Sequence, residues 1–407
     1  MQVSGHAHIR KPCLGAAVAD GLHRQATRPA GSRAANQRTH PVRVVIAGGG
    51  TGGHLFPGIA VAEEILSRNA ESDILFIGTG KPFETSVLNE KGFRHAAIAV
   101  QGLKNRGLLK QLWAFMLLPM SLAASAGLLK DFNPDLVLGV GGYSAGPVVA
   151  AAWMKGIKTV LQEQNILPGI TNRWLSRIAD RTYLSFPETR GMKRAGQAMV
   201  TGNPVRHEFL ASLPPIKQAS AEAVKTPSPF TILIAGGSQG AHAINLAVIG
   251  ALGHLKKKER FHFIHQTGID DEGRMKKAYA DSDTGSTVKA FFTDMAQQYH
   301  TADLIICRAG ATTVAEVTVL GKPVIFIPYP HAADDHQRLN AESLVQAGAS
   351  EMIQQKDLDG KLLAHRIEYY ADSPEKLAQM GVRASRLGRP DAARTIVDDM
   401  YALINKG

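Results

Sequence analysis

Cysteine is nearly absent from this chain. Its 407 residues include two, Cys13 and Cys307. That excludes a disulfide framework and any cysteine-based metal centre, and it fits a reducing compartment. Aromatic residues are also scarce, at 6%. No helix-turn-helix, RNP-type or zinc-finger pattern is present, so nucleic acid is not an expected partner. Acidic residues are thin in one half only. Residues 1–40 hold one acidic and six basic residues, residues 41–202 hold 11 and 17, and residues 203–407 hold 23 of each. The whole net charge of +11 therefore belongs to the N-terminal half. Such a half suits an anionic lipid surface or an anionic substrate.

Long charge-free runs are few. Leu112–Leu129 and Leu136–Met154 contain 18 and 19 residues without charge. Length alone would admit both as membrane spans. The first is broken by Pro119, Ser121, Ser125 and Gly127, and the second carries several glycines and Pro147. Both read instead as parts of an alternation of strands and helices. Residues 1–40 lack apolar periodicity and read as a disordered basic tail or a misassigned start, without a convincing secretory signal.

A motif occurs twice. Residues 44–54 read VVIAGGGTGGH and residues 232–242 read ILIAGGSQGAH, aligned without a gap. Each is an apolar strand, a glycine-rich turn and a helix start. Such a turn brings backbone N–H groups close to a ligand, and the helix N-terminus favours negative charge. Two copies a domain length apart predict two similar α/β domains facing one cleft.

The rest of the chain agrees. Strands are expected at Val42–Ala47, Ile74–Gly78, Ala96–Val100, Leu136–Val140, Thr159–Gln162 and Arg181–Ser185, then at Thr231–Ala235, Phe261–Gln266, Ser286–Ala290, Leu304–Cys307 and Pro323–Pro328. Helical patterns separate them, the first at Gly58–Arg68. This is the pattern of parallel sheets with ligands at the carboxyl ends of the strands. The expected units are residues 41–202, residues 203–389 and a helix in residues 390–407 that returns to the first domain. Proline-rich Gly202–Pro229 reads as the linker. A dinucleotide-binding fold is disfavoured. Gly48, Gly50 and Gly53 match G-x-G-x-x-G, but Asp73 precedes the next strand instead of ending it.

Seven motifs then fall in order: GGGTGGHLFPG at 48–58, GVGGYSAGP at 139–147, QEQN at 162–165, GNPVR at 202–206, GGSQGA at 236–241, CRAGATTVAE at 307–316 and ADDHQRLNA at 333–341. Together they resemble the MurG family of bacterial glycosyltransferases, from about Val42 to the C-terminus. The resemblance implies a GT-B fold, two Rossmann-like domains with parallel sheets around a cleft. It also implies inverting transfer of GlcNAc from UDP-GlcNAc to the C4 hydroxyl of MurNAc in lipid I, which gives lipid II for peptidoglycan synthesis. No cofactor is implied, and His331, Asp334, Asp335 and His336 lack a metal-ligand spacing. Further implications are a peripheral position on the cytoplasmic face of the inner membrane and cell-wall synthesis proteins as partner candidates.

Residue by residue, the resemblance puts the donor in the second domain. Ala311, Thr312 and Thr313 face the UDP phosphates, and Glu316 the ribose. Arg206, Ser238 and Gln239 contact the nucleotide, and Phe292 meets uracil through its backbone. Asn165, His336 and Gln337 meet the sugar, with Thr51, Gly52 and Gly53 also against the donor. The turn Gly48–Gly53 receives the acceptor diphosphate, with Gly49, Gly50, Gly141, Gly142 and Tyr143 as acceptor positions. A hydroxyl nucleophile needs a base, and the candidates are His54 and Glu163. Phosphate binding or helix capping is the other role open to His54. Lys104, Arg106, Lys110 and Lys130 border an apolar run from Leu108 to Leu117 that includes Trp113, and Trp153 lies beyond it. This suits an anionic leaflet, the alternative being an ordinary core helix. A lipid glucosyltransferase would share the fold without the combined QEQN and GNPVR signature, and a sugar-nucleotide 2-epimerase would keep UDP-GlcNAc binding without a lipid acceptor.

Overall fold

A computed structural model of the chain describes residues 40–100, 108–192, 197–211, 229–237 and 239–406, with the backbone alone at 108–117. The tail at 1–39, Lys104, Arg106, Ser238, most of the expected linker and the side chains of Lys110 and Trp113 lie outside the described residues.

The first half alternates β1 (Arg43–Gly48), α1 (Gly52–Arg68), β2 (Asp73–Gly78), α2 (Pro82–Glu90), β3 (Arg94–Ala97), α3 (Leu108–Phe132), β4 (Leu136–Gly141), α4 (Ala145–Met154), β5 (Lys158–Glu163), α5 (Ile170–Leu175), β6 (Arg181–Leu184) and β7 (Ala198–Val200). These strands form one parallel sheet in the order 3-2-1-4-5-6-7. Its central strands are buried on both faces, so they read as continuous apolar runs such as VVIA and LVLGV. One face is covered by α3, α4 and α5, through Leu129, Val148, Val149 and Leu175. The other is covered by α1 and by the last helix of the chain.

The second half continues with α6 (His207–Ala211), β8 (Phe230–Ala235), α7 (His242–Leu252), β9 (Phe261–Gln266), α8 (Glu272–Asp281), β10 (Gly285–Lys289), α9 (Met295–Thr301), β11 (Leu304–Cys307), α10 (Ala311–Leu320), β12 (Val324–Phe326), α11 (His336–Gln346), β13 (Glu351–Met352), α12 (Gly360–Ala371), α13 (Pro374–Leu387) and α14 (Ala392–Ile404). Its sheet is parallel, in the order 10-9-8-11-12-13. Ile396, Val397, Met400 and Tyr401 of α14 are buried with β1 and α1, so the chain ends on the first sheet.

Several boundaries differ from expectation. Helix α1 starts at Gly52, six residues before the expected Gly58, and carries Pro57 inside it. Asp73 is the first residue of β2, where it pairs with Arg94 at 2.8 Å. Strand β3 starts at Arg94, not Ala96. The edge strands β7 and β13 have three and two residues, too short to show a period. Helix α6 lies inside the expected linker. The two uncharged runs resolve into α3 and a β4–α4 unit, and among the described residues no helix is long and apolar enough to cross a membrane.

In each sheet the strand order reverses beside the first strand of that half, β1 and β8. This is the point where open α/β sheets hold ligands. Both glycine-rich turns leave the sheet there. The β1–β4 ladder slips between Ala47 and Gly48, so that Gly48 pairs with Gly141 and the two turns meet.

Candidate active site

His54 stands in the first turn of α1, where the β1 and β4 turns converge. Its Nδ1 is 3.1 Å from Val140 O and 3.1 Å from Gln164 Oε1. Both are oxygen acceptors, so Nδ1 carries the proton and Nε2 keeps its lone pair. Gln164 is itself fixed, since its Nε2 donates to Val140 O at 2.7 Å. Gly141, at φ +94°, leaves room for the ring: a Cβ there would lie 2.9 Å from Nδ1. Burial lowers the His54 pKa below the ordinary 6.5, opposed by the Gln164 and Val140 hydrogen bonds and reinforced by nearby His336. The ring is thus a neutral imidazole with one free basic nitrogen.

Glu163 is held differently. It is 1% exposed at the end of β5. Oε1 accepts from Asn165 N at 3.0 Å and Asn165 Nδ2 at 3.4 Å, and Oε2 accepts from Asn172 Nδ2 at 2.9 Å and Gly169 N at 3.3 Å. Burial raises its pKa and these bonds oppose the rise. The carboxylate is thus spent on its own loop and fixes Asn165.

The turn after β1 is only partly open. Gly49 is buried, and the Gly50 N–H donates to Glu84 Oε2 at 3.1 Å. The expected role of Gly49 and Gly50 in holding an acceptor meets this internal carboxylate. The accessible N–H face is Thr51, Gly52 and Gly53, at the start of α1. Gly142 adjoins Gly49, where a Cβ at 142 would lie 3.0 Å from Gly49 O, and Tyr143 is 44% exposed at the rim.

In the second half, Gly310 leads into α10, whose first turn is Ala311, Thr312 and Thr313. Glu316 is one turn further along and buried. Its Oε1 accepts from Arg206 Nε at 3.1 Å and Nη2 at 2.9 Å, while Oε2 takes neither bond. Burial raises the Glu316 pKa and Arg206 opposes the rise. Arg206 lies 4.5 Å over each of the Phe56 and Phe209 rings and also pairs with Glu208 at 2.9 Å. Its guanidinium is therefore an internal brace for Glu316. Gln266 links two donor-side loops: its Nε2 donates to Gly237 O at 2.9 Å, and its Oε1 accepts from Phe292 N at 3.0 Å. The Phe292 N–H is thereby taken. Gln239 is exposed on the second turn. Gln337 Oε1 accepts from Tyr329 N, and His336 Nδ1 bonds Ala333 O at 2.7 Å.

The halves touch across the cleft. Proline 57 has no N–H, so the carbonyl four residues earlier, Gly53 O, has no helical partner. Thr312 Oγ1 donates to it at 3.3 Å, joining the N-terminal turns of α1 and α10. Asn340 of α11 is fully buried. Its Oδ1 accepts from Ile166 N at 3.2 Å, and its Nδ2 donates to Asn165 Oδ1 at 3.1 Å and Ala309 O at 3.3 Å. Sequence reasoning missed Gln164, Asn340, Gln266 and Glu84. The first two sit inside quoted motifs, and Gln266 and Glu84 in none. Among the described residues no three His, Cys, Asp or Glu side chains gather as a metal ion requires.

The chain matches the N-terminal domain of glycosyltransferase family 28 over residues 44–184 and the C-terminal domain of that family over residues 231–396. It is 47% identical over 364 residues to the UDP-N-acetylglucosamine–N-acetylmuramyl-(pentapeptide) pyrophosphoryl-undecaprenol N-acetylglucosamine transferase of Syntrophus aciditrophicus, covering 89% of this chain and 99% of that protein. The same-named enzyme of Geobacter sulfurreducens is 46% identical, covering 90% and 100%. A crystal structure of MurG from Acinetobacter baumannii superposes with a TM-score of 0.69 at 33% identity, covering 90% of this chain and all of that one.

Proposed function

The chain belongs to the MurG family of glycosyltransferases, and from that premise we propose how its cleft works. It is a hexosyltransferase that moves N-acetylglucosamine from UDP-GlcNAc to lipid I, making lipid II. In our reading the donor diphosphate lies at the N-terminal turn of α10, where backbone N–H groups and the helix dipole favour it. Glu316 Oε2 accepts from the ribose hydroxyls, because Arg206 holds Oε1. Asn165, His336 and Gln337 meet the sugar. The acceptor diphosphate lies at Thr51–Gly53.

His54 then acts as the general base. Its Nε2 takes the proton of the MurNAc C4 hydroxyl as that oxygen bonds to C1 of GlcNAc. The bond from C1 to the β-phosphate oxygen breaks on the opposite side, and UDP leaves with the electron pair. One in-line displacement inverts the anomeric centre. The observation that carries this reading is the pair of oxygens around Nδ1, which leaves Nε2 basic. Glu163 positions Asn165. To test it, purified protein is incubated with labelled UDP-GlcNAc and a lipid I analogue. A β-linked disaccharide is expected, and an α-linked product or none refutes the scheme.

Docking on an anionic bilayer is supported by one face of the first half. Met120, Trp153, Met154 and Trp174 are 68%, 52%, 61% and 62% exposed, on three adjacent helices. Exposed Lys155 and Arg177 stand beside them. Apolar anchors with basic neighbours fit a headgroup interface.

A further inference from the structure

We propose that the β2–α2 turn, Gly78–Glu84, is a second wall of the acceptor diphosphate site, with Glu84 as a clamp beneath the first glycine-rich turn and Lys81 as its cation. This rests on the reading that the acceptor diphosphate lies at Thr51–Gly53.

Glu84 is 3% exposed in the first turn of α2. Its carboxylate accepts from Gly50 N at 3.1 Å, from Thr79 N at 3.2 and 3.3 Å, and from Thr79 Oγ1 at 2.9 Å. The backbone is shaped around it. A Cβ at Gly78 would lie 1.4 Å from Glu84 Oε1, and one at Gly49 would lie 2.8 Å from its Cδ. Gly49 has φ +144°, a region that side chains avoid. These glycines therefore make room for a carboxylate that belongs to the protein.

A buried carboxylate under an anion-binding turn needs a reason, because it repels the ligand that the turn receives. The geometry supplies one. Gly48, Gly49 and Gly50 all have positive φ, so the turn has little intrinsic preference for one shape. A charge-assisted bond to Gly50 fixes it and sets the direction of the next N–H groups, at Thr51, Gly52 and Gly53. Lys81 offsets the charge. It is exposed, and its Nζ would lie 3.9 Å from a Cβ at Gly50. An anion seated at Thr51–Gly53 would meet it.

The test compares two acceptors, a MurNAc diphosphoryl lipid analogue and the same sugar without phosphate, with Lys81→Met, Glu84→Ala and Glu84→Gln. Donor affinity is measured by calorimetry. Lys81→Met is a surface change. It should raise KM for the diphosphoryl acceptor about fivefold, the upper range of an exposed ion pair, and flatten its salt dependence. Glu84→Ala should raise that KM about tenfold, as a lost bond to a charged group does. Glu84→Gln, which keeps one accepting oxygen, should recover part of the loss. Donor affinity and KM for the phosphate-free acceptor should stay within twofold. If Glu84→Ala fails to fold, Lys81→Met and Glu84→Gln decide. If wild type prefers the diphosphoryl acceptor and folded variants keep the same preference, the second wall is overturned. If wild type itself shows no such preference, the diphosphate reading falls, and this proposal with it.

Discussion

Replacing His54 by alanine tests the chemistry most directly. The wild-type ring is neutral near pH 7.5, because burial holds its pKa below 6.5 and a unit of difference leaves about nine-tenths unprotonated. A base of this kind contributes about 10²–10⁴ in rate, or about 3–5 kcal/mol of barrier. His54→Ala should therefore lower kcat by that factor at unchanged donor affinity. The pH profile separates this from damage to the fold. Since protonation removes the base, wild-type kcat/KM should fall as pH drops through the His54 pKa, with a midpoint below 6.5. The limb should vanish in His54→Ala. Glu163→Gln is the control. Its carboxylate faces only donors, so an amide NH2 would confront an N–H. That change should cost about 1–3 kcal/mol of stability and leave the acid limb in place. A His54→Ala enzyme within tenfold of wild type, alongside a Glu163→Gln enzyme whose acid limb is gone, would reverse the assignment.

Glu316→Ala should weaken UDP-GlcNAc binding by about 1.5–3 kcal/mol, the value of hydrogen bonds to a charged group; calorimetric affinity within twofold of wild type would refute its ribose role. Asn340→Ala leaves Ile166 N–H and Ala309 O without this partner, so chemical denaturation should register a loss of about 1–3 kcal/mol, and an unchanged midpoint would discount the bridge. His265 is buried, with Nδ1 on Tyr279 OH and Nε2 on Asn245 Oδ1, and burial lowers its pKa to about 3. The unfolded chain then binds the extra proton below about 6.5, so stability should fall by about 1.4 kcal/mol per pH unit between the two values. His265→Gln should flatten that slope, and equal slopes would exclude the histidine as its source. Trp153→Ser with Met154→Ser should reduce flotation with anionic vesicles while sparing activity on a short-chain soluble acceptor; undiminished flotation would remove these residues from the docking face.

The alternation of strands and helices was legible because its signals are local. Central strands such as VVIA and LVLGV are apolar throughout, as sheets covered on both faces require. The first motif marks a helix start by His54, but the helical pattern is legible only from Gly58, since Gly52, Gly53 and Pro57 all argue against a helix. What carries the helix through them is tertiary. Gly53 O, deprived of the Pro57 N–H, is met from the other half by Thr312. The missed site residues share one character. Glu84, Gln164, Gln266 and Asn340 are buried polar groups, and each holds one partner 26 to 175 positions away. Periodicity carries no trace of such pairs. Gln164 and Asn340 lie within QEQN and ADDHQRLNA, but only the folded chain shows what they hold.

The duplicated motif marks the limit more sharply. His54 and His242 occupy the same position in the two copies, each opening the helix after a glycine-rich turn. Their partners separate them. His54 Nδ1 faces two neutral oxygens, and burial lowers the pKa of the ring against those two bonds. His242 Nδ1 lies 2.8 Å from the carboxylate of Asp271, and its side chain is 60% exposed. One arrangement buries its ring against neutral oxygens, and the other sets it beside a carboxylate at the surface. The difference comes from Val140 and Gln164 on one side and Asp271 on the other, none of them inside the repeated eleven residues. A motif of this kind therefore specifies where a ligand-facing turn will be, and the strands beside it decide the chemistry that the turn performs.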